Sequence, residues 1–447
     1  MPALLTRPLA ALAVAVAVGA GAAAPAQAAS DPLLSEQWAL TDPLATGAKE
    51  AWTQSRGDGV LVAILDSGVQ LNHPDLAQNL WHNANEIPGN GIDDDRNGYV
   101  DDVYGANIMT GNGNVDDDEG HGTHVAGIVA AQAGNATGGS GIAPGAHIMA
   151  VKVLNANRVG DSSLLARGIR YAIDEGARIL NVSLNGDGTS PDLDDALRYA
   201  NDRGATIVAS AGNNSRDIDA QPSYPASSQV PAVLTVTATE RSGALLAVAN
   251  HGPRSVDIAA PGATILSTAR GSGYELRQGT SMAAPFVAGA LAVLAAARPD
   301  LPQSALRDAL AQSATRTAPL SGEVSSGGLN VSAALHRVLP GAMWRSAAAV
   351  TPATAAGTSV RVLTKARVRG GSTATVRWSA SGAQRVTRWR VLLDGRRVGT
   401  VVAGKRSLLR KRVSRAGSHR WKVVGVDAAG ASIVTGARGF QVLRKRA

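Results

Sequence analysis

Val60-Leu61-Val62-Ala63-Ile64-Leu65 is an unbroken apolar run that stops at Asp66. A strand covered on one face alternates apolar with polar residues. A run without polar interruption fits a parallel strand covered on both faces. Residues 148–154, 179–184, 206–211 and 232–238 read the same way. Between these runs, residues 163–175 and 193–203 carry apolar side chains at helical spacing. Strands and helices in alternation predict an α/β fold with a doubly wound, mostly parallel sheet. Such sheets bind ligands beyond the carboxyl ends of their strands. Asp66 and Asn213 both stand there, directly after predicted strands.

Asp66 belongs to a cluster of small residues, Ser67-Gly68-Val69 following it. His121 opens His121-Gly122-Thr123-His124-Val125-Ala126-Gly127, and Ser281 is central to Gly279-Thr280-Ser281-Met282-Ala283-Ala284-Pro285. A serine hydroxyl is a poor nucleophile at neutral pH. It needs a base to take its proton, and the base needs an orienting group. Ser281, His121 and Asp66 can fill these roles, but 55 and 160 residues separate them, so only a fold can unite them. Ser281 opens an Ala-rich helix running to Ala297. Alone, a serine there reads as a cap. Within its motif it becomes a nucleophile beside free backbone N–H groups and the positive end of a helix dipole. The order Asp, His, Ser within these motifs resembles the subtilisin-like serine proteases, the subtilases, from about Asp31 to about Arg337.

The resemblance implies acyl transfer from protein or peptide substrates to Ser281, with His121 catalytic and His124 structural. It implies that Asn213, in Ser210-Ala211-Gly212-Asn213, donates its amide to the oxyanion together with the Ser281 N–H. Subtilases hold the substrate as an added β-strand. Ser183, Leu184, Asn185 and Gly186 resemble one flanking edge, and Arg158-Val159-Gly160 the other. Family members usually carry Gly where Asn185 sits, and commonly where Arg158 sits, so subsite preference departs here. The first specificity pocket is expected to be lined by Ser210, Ala211, Gly212 and Ser223. It holds no acid, and Asn214 stands where some members carry one. The implied preference is a medium or large apolar side chain within broad specificity.

Two places suit structural calcium. Asp93-Asp94-Asp95-Arg96-Asn97-Gly98 matches the first half of an EF-hand-type loop, D-x-D-x-N-G. Asp93, Asp95 and Asn97 are candidate ligands, with Asp101 or Asp102 completing the set. Position twelve is Tyr104 rather than Glu, so the loop is not a full EF-hand. The second place rests on the resemblance: Asp31, Asp75 and Asn135 of the Asn135-Ala136-Thr137-Gly138 loop. The run Asp116-Asp117-Asp118-Glu119 reads as a solvated acidic loop.

The 447-residue chain has no cysteine, which excludes disulfides, thiol catalysis and Cys-ligated zinc. Residues 1–28 read as a secretory signal, with Arg7, an apolar run from Leu9 to Val18 and Ala26-Gln27-Ala28 as the cleavage site. Export makes calcium the natural staple in place of disulfides. Asp31-Pro32-Leu33-Leu34-Ser35-Glu36-Gln37-Trp38 resembles the start of a mature catalytic domain. Residues 29–340 are expected to form the peptidase domain, 341–359 a linker, and 360–447 a basic β-sandwich of Ig-like type. Asp394-Gly395 between strand-like runs predicts a hairpin, and Trp378, Trp389 and Trp421 are expected in its core. After Pro340 there are 23 basic and two acidic residues, a formal +21, against −13 for the rest. Such a tail suits an anionic cell-surface polymer. No motif points to specific nucleic-acid binding, and the protein is expected to be a monomer. The competing functional class is a surface-binding or narrowly specific subtilase scaffold with little or no general turnover.

Overall fold

A computed structural model describes residues 31–339 and, beyond them, strand residues between 359 and 443. The chain divides into two compact units, Met1–Ala347 and Ala348–Ala447. In the first, chain order runs through α1 (Trp38–Thr41), α2 (Ala48–Ala51), β1 (Leu61–Asp66), β2 (Gly105–Asn107), α3 (His121–Ala130), β3 (His147–Lys152) and α4 (Ser162–Asp174). There follow β4 (Ile179–Val182), α5 (Pro191–Asp202), β5 (Thr206–Ser210), β6 (Val233–Thr239), β7 (Ile258–Pro261), β8 (Ile265–Ala269), β9 (Gly273–Arg277), α6 (Thr280–Ala297), α7 (Gln303–Ser313) and α8 (Val331–Val338).

Seven strands form one sheet in the order β2-β3-β1-β4-β5-β6-β7, and every neighbouring pair is parallel. The period of two along each strand explains the unbroken apolar runs. Val62, Ile64, Ile148 and Ala150 enter one core together with apolar residues of α3, α6, α7 and α8. Ala63, Leu65, Met149 and Val151 enter another with α4 and α5. Both faces of the sheet are thereby covered, the doubly wound arrangement. β8 and β9 form a separate antiparallel pair just before α6. α6 is apolar on all sides and buried from Thr280 to Leu294, as a helix in the middle of a core must be.

Two helix starts follow directly from sequence. Asp161 accepts a hydrogen bond from the Leu164 N–H at the head of α4, and Ser190 does the same for Leu193 in α5, where Pro191 takes the first turn.

In the second unit, β10 (Ser359–Thr364), β12 (Thr373–Ser381) and β15 (Leu408–Arg412) form a three-stranded sheet. β11 (Arg367–Arg369), β17 (Ser432–Leu443), β16 (Gly417–Val426), β13 (Arg388–Leu393) and β14 (Arg396–Val402) form a five-stranded one, in the order given. Val376, Val391 and Val423 are buried. Residues 1–30 with the expected signal, residues 340–358, Asp394-Gly395 of the expected hairpin and the side chains of Trp378, Trp389 and Trp421 lie outside the described residues.

Candidate active site

β1 ends at Asp66, which is fully buried, and α3 begins at His121. His121 Nδ1 lies 2.8 and 2.9 Å from the two Asp66 carboxylate oxygens. The Ser67 N–H donates to Asp66 Oδ1 at 2.8 Å, fixing the carboxylate against the ring. A carboxylate on Nδ1 holds the proton there, which leaves Nε2 as the basic nitrogen. His121 Nε2 is buried and has no protein partner.

Gly122 lets the two residues meet. A Cβ there would lie 2.1 Å from the Gly68 carbonyl oxygen and 3.1 Å from Asp66 Cβ. Gly122→Ala must therefore push α3 away from β1. We expect it to cost about 3 kcal/mol or more of stability, read as the shift in a denaturant midpoint, with a loss of activity beyond that expected from unfolding.

Ser281 is the second residue of α6. Gly279 is the N-cap and brings no side chain to the helix end. The cap role open to Ser281 is thus not taken. Its Oγ instead donates to the Ser183 carbonyl at 3.1 Å. Pro285 lies four residues on and has no N–H to offer the Ser281 carbonyl. The Ser183 hydroxyl makes good that loss, donating to Ser281 O at 2.9 Å, and itself receives Asn181 Nδ2 at 2.8 Å. The carboxyl end of β4 is so stitched to the backbone of the candidate nucleophile.

Asn213 lies just beyond β5. Its Oδ1 accepts from the Thr280 N–H at 2.9 Å and the Thr280 hydroxyl at 3.2 Å. These donors fix the amide's orientation. Nδ2 is left as the outward donor beside Ser281. His124, the second histidine of its motif, is fully buried, with Nε2 at 3.1 Å from the carbonyls of Ile265 and Glu275. Burial pushes its pKa down to about 4. It ties α3 to the β8–β9 pair.

The acidic run before His121 is only partly the solvated loop its composition suggests: Asp116 and Asp118 are exposed. Asp117 is buried and accepts from the Ser67 and Thr123 hydroxyls and from the N–H groups of Glu119, Gly120 and Thr123. Burial raises its pKa, but these donors outweigh burial and hold it below the ordinary carboxylate range. Asp118 pairs with the buried Lys152 at 2.7 Å, whose Nζ also grips the Ser67 carbonyl, and Glu119 accepts from the His121 N–H. A run of acids on a loop gives no hint of Lys152 and Ser67, which arrive from β3 and the β1 turn.

His121, Asn213 and Ser281 open on one cleft of about 270 Å³. Ser183, Leu184, Asn185, Gly186, Arg158 and Gly160 all line it, with Val153, Leu154, Leu165 and Leu193 supplying apolar lining. Ser210, Ala211, Gly212 and Ser223, expected to line the first pocket, are all buried.

Of the first candidate calcium set, Asp95 and Asp102 come together, joined by Glu86, their carboxylate oxygens all within 4.8 Å. Asn97 Nδ2 donates to Asp102, and Asn83 Nδ2 to both Asp95 and Asp102. Asp93 shares the Asn97 N–H with Asp95 and also accepts that of Gly98, and Asp101 accepts those of Asn90 and Gly91. Their carboxylates shape the turn. Glu86 Oε2 is buried without a partner, and burial raises the Glu86 pKa. An orphaned carboxylate oxygen beside two further carboxylates is a donor set that fits a hard cation. The second set also converges. Asp31 accepts the N–H groups of Gly134 and Asn135, and Asp75 accepts Asn135 Nδ2 at 2.7 Å and the Tyr274 hydroxyl at 3.1 Å. Burial pushes the Asp75 pKa up to about 6.

Residues 57–333 match the subtilase family. Thermitase of Thermoactinomyces vulgaris is 36% identical over 266 residues, covering 60% of this chain and 85% of that protein. Subtilisin-like protease 1 of Plasmodium berghei is 31% identical over 321 residues, 67% of this chain. An extracellular protease of Xanthomonas campestris is 33% identical over 343 residues, 70% of this chain. The chain spans little more than half the length of the last two, 53% and 57%. Among solved structures, a protease of Pseudoalteromonas arctica superposes with a TM-score of 0.57 at 28% identity, covering 69% of this chain and 99% of that one.

Proposed function

Because the chain belongs to the subtilase family, we propose that it is a secreted, calcium-stabilised serine endopeptidase working through an acyl-enzyme. The observation that carries this reading is the buried His121–Asp66 pair, 2.8 Å apart, opening on the cleft that holds Ser281. Ser281 Oγ attacks the substrate carbonyl carbon while His121 Nε2 takes its proton. Asp66 stabilises the resulting imidazolium. The oxyanion is met by Asn213 Nδ2 and the Ser281 N–H. His121 then returns the proton to the leaving amine, and water repeats the sequence to release the acid. In the resting protein the Ser281 hydroxyl donates to the Ser183 carbonyl, so this bond must be released before its proton passes to His121.

The apolar residues lining the cleft support an apolar preference. Calcium would be held by Glu86, Asp95 and Asp102, and by Asp31, Asp75 and Asn135. When bound, it neutralises clustered carboxylates and cross-links loops in a chain without disulfides. The leader composition and the extracellular relative support export. The second unit is read as an Ig-like sandwich whose +21 charge suits anionic cell-surface polymers.

The test is casein hydrolysis by the full chain, with calcium or a chelator, beside Ser281→Ala. Activity in the unsubstituted protein alone, falling with chelator, supports the reading. A folded protein that neither hydrolyses casein nor reacts with a serine-directed phosphonylating reagent overturns it. The calcium assignment also predicts a reversal of sign. Without calcium, Asp95→Asn raises the melting temperature, because a charge leaves a repulsive cluster. With calcium at about 100 times its dissociation constant, the unsubstituted protein gains about 2.7 kcal/mol, and Asp95→Asn loses most of that gain. Thermal unfolding with and without calcium reads both.

A further inference from the structure

Asn185 lines the cleft, and its carboxamide is held in place. Its Nδ2 donates to Ser223 Oγ at 3.0 Å. The same nitrogen lies 2.9 Å from where a Cβ on Gly212 would sit. Gly186, the next residue, is bridged to Tyr224 by N–H···O bonds in both directions, at 2.9 and 2.8 Å. The 183–186 edge is thus joined to the segment carrying Ser223, and the amide lies against the Gly212 backbone. Ser223 and Gly212 are buried, whereas Asn185, Gly186 and Tyr224 face the cleft.

Resting on the assignment of Ser281 as nucleophile, we infer that Asn185 determines specificity by closing the depth of the first pocket. The residue before the scissile bond is thereby restricted to a short side chain such as Ala or Ser. A long side chain must break the Asn185–Ser223 hydrogen bond and lift the amide from Gly212. Ser223 Oγ would then lose that partner in a buried site, and a buried polar group stripped of a hydrogen bond carries a desolvation penalty. Glycine at 185 has no side chain to displace. The apolar preference of the cleft is left to Val153, Leu154, Leu165 and Leu193. The medium or large side chain implied by the family resemblance therefore gives way to a small one.

The experiment uses the full chain and a peptide-anilide series differing only in Ala, Leu or Phe before the scissile bond. The unsubstituted protein is expected to favour Ala over Phe in kcat/KM by about tenfold or more. Asn185→Gly should raise the Phe-to-Ala ratio by about tenfold or more, and Asn185→Ala should move it the same way. A native preference for Phe or Leu, or a ratio that neither substitution moves, overturns the inference. The same peptides as uncleaved amides are also titrated against Ser281→Ala by calorimetry. Tighter binding of Ala than Phe without hydrolysis by the unsubstituted protein supports the role of Asn185 and defeats the protease reading. Hydrolysis with Phe preferred does the reverse.

Discussion

Ser281→Ala is expected to lower kcat by about 10⁶-fold, and His121→Ala and the double substitution by about the same factor. Independent contributions would multiply; these should not. Ser281 supplies the bond-forming oxygen, and His121 has no proton to take once that oxygen is gone. Removing either leaves only the cleft and the oxyanion donors, which retain about 10³–10⁴-fold over water. Asp66→Ala should cost less, about 10⁴-fold, because it orients the ring and stabilises its charge without bonding to substrate. Single-turnover kinetics at protein concentrations fixed by absorbance reads these losses. Ser281→Ala should keep the fold, since the contact that anchors this segment, from the Ser183 hydroxyl to Ser281 O, runs to the backbone. Multiplying losses, or a Ser281→Ala protein with native turnover, would mean that another group carries the chemistry.

The parallel sheet was legible because covering a strand on both faces leaves no room for polar residues. Val62 and Ile64 point to one core, and Ala63 and Leu65 to the other. β2 was not legible: Gly105-Ala106-Asn107 is three residues long with no apolar run. β7 hides in Ile258-Ala259-Ala260-Pro261, where Pro argues against a strand interior; it sits at the sheet edge, where that objection lapses. The candidate nucleophile, base and acid were legible from the small residues around them. Gly122 shows why: nothing larger fits between Asp66 and the Gly68 carbonyl. The partners that hold those residues were not. Ser183 answers a carbonyl freed by Pro285, 102 residues later in the chain, and Asp117 looked like any acid on a loop. Glu86 precedes the patterned acidic loop and belongs to no motif, so only folding brings it to Asp95 and Asp102.

Asn213→Leu should lower kcat by about 10²–10³-fold with little change in KM, a loss of about 3–4 kcal/mol specific to the transition state. The ground-state carbonyl is a weaker acceptor than the oxyanion, so a donor aimed at the latter acts mainly on kcat. The aim is set by Thr280, whose N–H and hydroxyl both hold Asn213 Oδ1. Thr280→Val removes one of these two constraints and also the acceptor for the Gly212 N–H. It should therefore reduce kcat in the same direction but by less, since the Thr280 N–H remains. Asn213→Asp should be at least as damaging as Asn213→Leu. It keeps the shape but replaces the donating amide with a carboxylate facing the developing negative charge, so its deficit should shrink as pH falls and the carboxyl gains a proton. A change in KM with kcat preserved in Asn213→Leu would make Asn213 a ground-state binding residue and leave the Ser281 N–H as the oxyanion donor.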